Sequence, residues 1–281
     1  MAHPQIAAFA RLADGNTAPV RKIEGQTTLL GRTMHAISHD PIHDEIFVPQ
    51  EISQGILTFR GGADGEEAPI RVIQGSLTQL QRPDQLEVDP VHNEIFVPQQ
   101  GKILVFQRDA KGNVAPIRIL KPSSDVRFGN GVAVDPVNNV LVVAGSVASG
   151  TGEGGGRSQA RLLIYNRTDE GTVAPKAMIG GPNSHYGGGA FTIYPPKKEI
   201  IVATRWNGEA IDVAELAATD HYVGVWSEQD KGDVPPQWIV GGPNGIFQQI
   251  RNLALDPKNK SMIVADKRLN SVLTFYFPEM F

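Results

Sequence analysis

His35, Asp84, Asn130, Gly189 and Arg251 occupy one position of a repeating pattern, each five places before an Asp-Pro pair or, for Gly189, before Tyr194-Pro195. An imidazole, a carboxylate, an amide and a guanidinium at one level would make an asymmetric polar lining suited to an asymmetric ligand. A purely structural channel would repeat one residue type. The next position adds Gln85 and Asn252, and the segments just outside add Arg32, Arg82, Asp125, Arg127, His185, Tyr186 and Gln249. In that setting His35 or His185 has the chemistry of a general base or metal ligand, Asp84 that of a carboxylate ligand, and Arg251 that of an anchor for an anionic group. The plainer role for the same groups is to hydrogen-bond loops and channel water.

Two long insertions bring further polar groups to the same level. One runs from Gly145 to Ala160 and contains a glycine run at 150–156. The other runs from Thr204 to His221 and carries Arg205, Trp206, Glu209, Asp212, Asp220 and His221. His35, His185 and His221, with the neighbouring carboxylates, are the side chains that could hold a divalent metal. No ligand spacing marks such a site, so the sequence requires no cofactor. The glycine run follows no strand-to-helix turn and no Gly-Lys-Ser/Thr, so it reads as a loop and not a phosphate cradle. No Gly-x-Ser-x-Gly elbow is present, which excludes a Ser–His–Asp hydrolase of the α/β type. His43 and His92 share a Pro-x-His turn and read as turn formers. His39 falls where other repeats carry Val or Leu and reads as a packed histidine.

The elements that must position these residues follow from two marks in phase. Ala18-Pro19-Val20-Arg21, Ala68-Pro69-Ile70-Arg71 and Ala115-Pro116-Ile117-Arg118 decay to Ala174-Pro175 and Pro235-Pro236, with prolines 50, 47, 59 and 61 residues apart. Asp40-Pro41, Asp89-Pro90, Asp135-Pro136, Tyr194-Pro195 and Asp256-Pro257 each precede an apolar burst such as Ile46-Phe47-Val48. The second repeat parses into strands at Leu86–Val88, Glu94–Pro98, Ile103–Gln107 and Ile117–Leu120, with Lys111-Gly112-Asn113 as a hairpin turn. Four short strands at this period predict an all-β fold, a β-propeller of four-stranded blades. The one helix-compatible stretch, residues 209–218, lies inside an insertion.

Units reading Asp-Pro-x-x-Asn-Glu-Ile-Phe-Val, then x-Ile-x-Val-Phe, then Gly-Asn-x-Ala-Pro-Ile-Arg resemble the NHL and YVTN-type β-propellers of bacteria. The resemblance runs from Ile6 to Phe275 and is strongest over residues 35–145. It implies the fold and little about activity, because such propellers include lactonases, lyases, strictosidine-synthase-like enzymes and non-catalytic sensor or docking domains. NHL propellers usually have six blades and YVTN propellers seven. Here inner strands follow Met34, Pro83, Gly129, Gly188 and Ile250, so five blades are expected, with six as the alternative. One domain of repeat units at about 35–83, 84–129, 130–188, 189–250 and 251–281 plus 5–34 results, its N-terminal fourth strand closing the C-terminal blade. That closure leaves one third strand surplus, which makes the chain a monomer or a strand-exchanged dimer. Arg21, Arg71 and Arg118 are expected to form ion pairs between blades.

Both insertions fall between second and third strands, on the same side as the fourth-to-first loops. Long loops on one side of a rigid array usually carry binding. The expectation is therefore a non-catalytic binding or scaffold module whose top-face loops, with His35, Asp84, Gln85, Asn130, His185, Tyr186, Arg205, Trp206, Arg251 and Asn252, meet a protein, peptide or glycan. The alternative is a hydrolase or lyase acting on a small molecule at the channel mouth, with or without a divalent metal. A net charge of −4 argues against nucleic acid held by bulk positive charge, and no apolar run reaches the ~18 residues of a membrane span. The absence of cysteine removes disulfides and thiolate chemistry. Residues 1–5 show no secretory signal. The resemblance implies an extracytoplasmic protein with its signal removed, and the cytoplasm is the other location consistent with the residues.

Overall fold

The structure, a computed structural model, describes residues 4–99, 101–147, 160–206, 221–241 and 245–281. Its contacts group into two compact units, Met1–Lys121 and Pro122–Phe281. In the first, β1 (Gln5–Ala8) pairs with β2 (Arg21–Glu24), and two antiparallel blades follow. One blade is β3 (Ser38–Asp40), β4 (Glu45–Gln50), β5 (Gly55–Arg60) and β6 (Arg71–Gln74). The other is β7 (Glu87–Asp89), β8 (Glu94–Gln99), β9 (Lys102–Gln107) and β10 (Arg118–Pro122). The second unit opens with β11 (Val126–Asp135), β12 (Val140–Val147) and β13 (Ala160–Asn166), then the short β14 (Gly171–Val173) and β15 (Ala177–Ile179). Next come β16 (Tyr186–Tyr194), β17 (Glu199–Trp206), β18 (His221–Ser227) and β19 (Trp238–Gly241). A three-stranded sheet, β20 (Ile250–Asp256), β21 (Ser261–Asp266) and β22 (Ser271–Tyr276), completes the unit. Five sheets begin on an inner strand, and the fold is a five-bladed β-propeller; helix among the described residues is limited to three-residue 3-10 turns.

The Asp-Pro marks act at the first hairpin of each blade. Asp40 Oδ1 accepts from the N–H groups of Ile42 and His43 at 2.8 and 2.9 Å, and its Oδ2 meets His43 Nδ1 at 2.7 Å. Asp89 repeats this with Val91 and His92, while Asp135 uses Val137 and Asn138, and Asp256 uses Asn259. The carboxylate replaces hydrogen bonds that the turn backbone cannot make for itself, and the proline sets the bend. Burial pushes the Asp40 carboxyl up, but the His43 and Ile42 donors outweigh it and hold the group below its ordinary range. His43 and His92 are thus the turn formers that their spacing suggested.

A second device ties β2, β6 and β15 each to the blade that follows. Gly65, the hairpin glycine between β5 and β6, exchanges backbone hydrogen bonds with β2: its N–H donates to Lys22 O and its O accepts from Glu24 N. Gly112 does the same for β6 and Gly232 for β15. The inter-blade packing accounts for near-continuous burial along β4, β8, β9 and β18 in place of alternation. The cores are slabs between consecutive blades. Phe47, Ile56 and Ile73 meet Leu86, Ile95 and Phe106 in the first unit; Val142, Leu162 and Ile164 meet Phe191, Val202 and Trp226 in the second. Each such side chain contributes about 1.5–3 kcal/mol of transfer free energy.

Three expectations change here. β2 pairs with β1 in a two-stranded sheet and is not the fourth strand of the β20–β22 sheet. The repeated arginines bond within a blade: Arg71 forks onto Glu45 at 2.8 and 2.5 Å, and Arg118 onto Glu94 at 2.6 and 2.8 Å. Outer strand and second strand lie two apart in one sheet, within reach of a long side chain. Arg108 does cross between blades: its Nη1 bonds Glu45 and its Nε lies 3.6 Å from Asp40. Arg21 reaches the Gly61 carbonyl at 2.6 Å. His39, finally, is exposed at 55% of its side chain, 3.7 Å from Asp44, and is not packed.

Candidate functional site

The loops that follow β2, β6 and β15 share one construction. Gly25 and Gly75 sit at φ +113° and +130° with ψ near 172°, a region open only to glycine, and each begins a 3-10 turn. Thr28 and Thr78 follow three residues later, buried, with Oγ1 donating to the glycine carbonyl at 2.6 Å. A residue from the next blade's hairpin caps the loop: Glu66 takes the N–H of Thr27, and Asn113 that of Leu77. In the second unit Gly181, Ser184 and Asp233 rebuild the arrangement. Gln99 accepts from Gln81 N and donates to Gln79 O at 3.1 Å, and Gln50 accepts from Gly31 N at 2.7 Å. These loops are therefore held from two sides. The recurring Gly-x-x-Thr/Ser, in phase with Gly-Glu/Asn/Asp at the hairpin, is the sequence signal for it, and the two repeat marks considered above do not include it.

In the first unit this construction brings His35 and Asp84 together. His35 Nδ1 bonds Asp84 Oδ1, with 39% and 22% of the two side chains exposed. Gln85 beside them is half-buried. One register deeper, Glu87 on β7 hydrogen-bonds Ser38 on β3, and burial pushes its carboxyl up to about 8. Sequence reading missed Glu87: in β11, β16 and β20 its position holds Ala133, Thr192 and Ala254, so nothing in the repeat marks an acid there. An imidazole oriented by a carboxylate, and a carboxyl whose pKa burial raises, can accept, donate and bind polar groups.

The second-unit candidates are placed differently. Asn130 and Arg251 are exposed on β11 and β20, beside irregularities in the pairing between Phe128 and Val132 and between Ile250 and Asn252. Asn252 is half-buried, and its Oδ1 accepts from Leu253 N at 2.9 Å. His185 sits at φ +52°, and its carbonyl accepts from Tyr222 OH at 3.0 Å. Tyr186 is corrected outright: only 1% exposed, it belongs to the core, and burial drives its hydroxyl pKa up. Phe247, 2% exposed, is also core. Backbone pairing places Arg205 opposite His221 and Trp206 opposite Tyr186. The side chains of Arg205 and Trp206, like residues 148–159 and 207–220 of the two insertions, lie outside the described residues. Among the described residues no group of three His, Asp or Glu side chains is placed to hold a metal ion.

On the same side of the first unit lies a cleft of about 480 Å³ lined by Ser53, Gln54, Gln74, Gly75, Ser76, Gln79, Leu80 and Gln81. The β4–β5 turn forms one wall and the glycine-led loop forms the other. Gln74 Nε2 donates to Ser53 O at 2.6 Å and Lys102 Nζ to Gln79 Oε1 at 3.0 Å, which joins the walls and orients an amide. The lining is neutral, rich in amides and hydroxyls, with Leu80 as its buried floor.

No protein-family model and no curated protein sequence matches the chain. Among solved structures it is similar to hydrazine synthase of Kuenenia stuttgartiensis, at TM-score 0.58 and 12% identity over 92% of this chain and 71% of that one. It is also similar to a chain of a nidogen/laminin complex, at TM-score 0.53 and 14% identity over 99% of this chain and 92% of the other. Both are β-propeller proteins, and at these identities the likeness is one of fold.

Proposed function

We propose that the protein is a non-catalytic binding module of the NHL/YVTN propeller kind, presenting its fourth-to-first and second-to-third loops to a protein, peptide or glycan. The observation that carries this reading is the amide-lined cleft on loops fixed from two sides. Four glutamines and two serines around one cleft supply neutral donors and acceptors on a rigid frame, which matches the peptide groups or hydroxyls of a polar, uncharged ligand. Arg82, paired with Glu51, marks the charged rim.

The test is a peptide and glycan array followed by calorimetry on the best binder, with wild type, Gln54→Ala/Gln81→Ala and His35→Ala. Loss of at least tenfold in affinity for the cleft variant, with His35→Ala unchanged, supports the reading. Binding indifferent to the cleft variant overturns it. Turnover of a lactone or similar small molecule that disappears in His35→Ala, with melting temperature unchanged, would put the hydrolase or lyase alternative in its place.

A further inference from the structure

The residue after each third strand occupies one structural position in every blade, because its N–H donates to the turn between first and second strands. Gly61 bonds Asp44 O, Arg108 bonds Asn93 O, Arg167 bonds Asn139 O, Glu228 bonds Lys198 O and Phe277 bonds Lys260 O, at 2.5–3.2 Å. In the first unit the Arg108 side chain crosses from this position to the preceding blade. Arg108 settles there between Asp40 and Glu45, which face each other across β3 and β4. Two carboxylates meet one guanidinium, an ordinary buried arrangement.

At the junction of the β11–β15 and β16–β19 blades the same position holds Glu228. The partners of Arg108 have as their counterparts Asp135 and Val140, paired across β11 and β12. One acid has become valine and the cation has become an acid, so two carboxyls face each other where an ion triad stood. Asp135 is fully buried and Glu228 8% exposed. Asp135 Oδ1 already accepts from Val137 and Asn138 N–H at 2.7 and 2.8 Å, and Oδ2 from Asn138 Nδ2 at 2.6 Å. Both Asp135 oxygens are thus taken up as acceptors by the turn. The hydrogen bond between the two carboxyls then requires the proton to sit on Glu228, whose Oε1 is buried without a hydrogen bond. Lys198 and Lys176 are the other charged groups acting on Glu228, and both favour its ionised form. Burial and then Asp135 outweigh them and push the Glu228 carboxyl up to about 8.

We propose that Asp135 and Glu228 form a shared-proton carboxyl pair that couples this blade junction to pH, tight while the pair holds its proton and loosened when both groups ionise. The sign follows from linkage. A carboxyl raised in the folded state keeps its proton when the unfolded chain has lost it, so stability falls as pH rises from the ordinary carboxyl range and levels off above the folded value. The junction is also stitched by Asn138 Nδ2 to Pro195 O at 3.3 Å, next to the Lys198 turn that receives the Glu228 N–H. Loosening is therefore read most directly at that amide.

The experiment compares wild type, Glu228→Gln and Glu228→Arg by thermal melting from pH 5.5 to 9.5, with hydrogen exchange at the 228 amide. In wild type the opening constant of that amide should rise about tenfold between pH 7 and 9, after correction for intrinsic exchange. Glu228→Gln, which keeps a donor to Asp135 and loses the titration, should flatten the profile of the 228 amide and lessen the slope of the melting profile, the Glu87 share remaining. Glu228→Arg restores the Asp–Arg pairing of the other junction and should reverse or abolish the slope at that amide. Wild-type and Glu228→Gln profiles that coincide overturn the proposal. Carboxyl-carbon NMR of wild type gives an independent reading: a Glu228 midpoint in the ordinary carboxyl range overturns it even if no variant folds, and a midpoint above 6.5 supports it.

Discussion

Gly75→Ala isolates the device that fixes the candidate binding loops. Gly75 sits at φ +130° and ψ 173°, and an added Cβ would lie 2.4 Å from Asn113 Oδ1 and 2.7 Å from Asn113 Cβ. Two costs follow. Holding a non-glycine residue in this region costs about 1–3 kcal/mol. Pushing Asn113 aside breaks its 2.7 Å bond to the Leu77 N–H, which removes about 1 kcal/mol. Lower entropy of the unfolded alanine chain returns about 0.4–1 kcal/mol, leaving a net loss of about 1–3.5 kcal/mol. For a chain of this size that is a fall of about 2–14 °C in Tm. Gly112→Ala is the comparison: φ is +77°, no atom lies within 4 Å of the new Cβ, and only the left-handed backbone is strained. Chemical denaturation of Gly75→Ala, Gly112→Ala, Asn113→Ala and the Gly75→Ala/Asn113→Ala double variant measures each part. The double variant should be less destabilised than the sum of its singles, because the Asn113–Leu77 hydrogen bond is lost only once and the contacts with Asn113 Oδ1 and Cγ are gone, leaving that with the residue-113 Cβ. The account fails if Gly75→Ala costs no more than Gly112→Ala, or if the cycle is additive.

Glu87→Gln should flatten part of the pH dependence. The Glu87 carboxyl, raised to about 8 by burial, contributes a loss of stability as pH climbs from about 4.5 to about 8, and melting curves at pH 5 and pH 8.5 should differ by several degrees less in the variant than in wild type. Asp89→Ala removes the acceptor for the Val91 and His92 N–H groups and the His92 ring, and should cost about 2–4 kcal/mol by denaturation. His92→Ala, which leaves the two backbone bonds in place, should cost about 1 kcal/mol.

The β-propeller and its period were legible because turn chemistry is local. Asp-Pro, Gly-Asn and Ala-Pro-Ile-Arg each work within a few residues of chain, so the strands of the second repeat come within two residues of their expected bounds. The five inner strands were countable for the same reason. Counting back from the Asp-Pro mark, by contrast, assumes one strand geometry in every blade. β3 and β7 are three residues long, which leaves His35 and Asp84 in the preceding loops, free to meet. β11, β16 and β20 run for seven to ten residues with pairing irregularities, so Asn130, Gly189 and Arg251 stand on strands and not at a common loop. Tyr186 looked like a loop aromatic, yet the slab between blades had room for it, and burial of a large ring outweighs its exposure on a loop. The pairing of Arg71 with Glu45 and of Glu228 with Asp135 depends on which strands lie side by side and which blades stack. Residues 26 and 93 apart in the chain carry no mark of each other until the sheets are assembled. Sequence by itself determined the repeat, its turns and the all-β architecture, because those interactions close within single hairpins. Only the tertiary structure decided which polar side chains meet, because those meetings are made by packing between strands and blades.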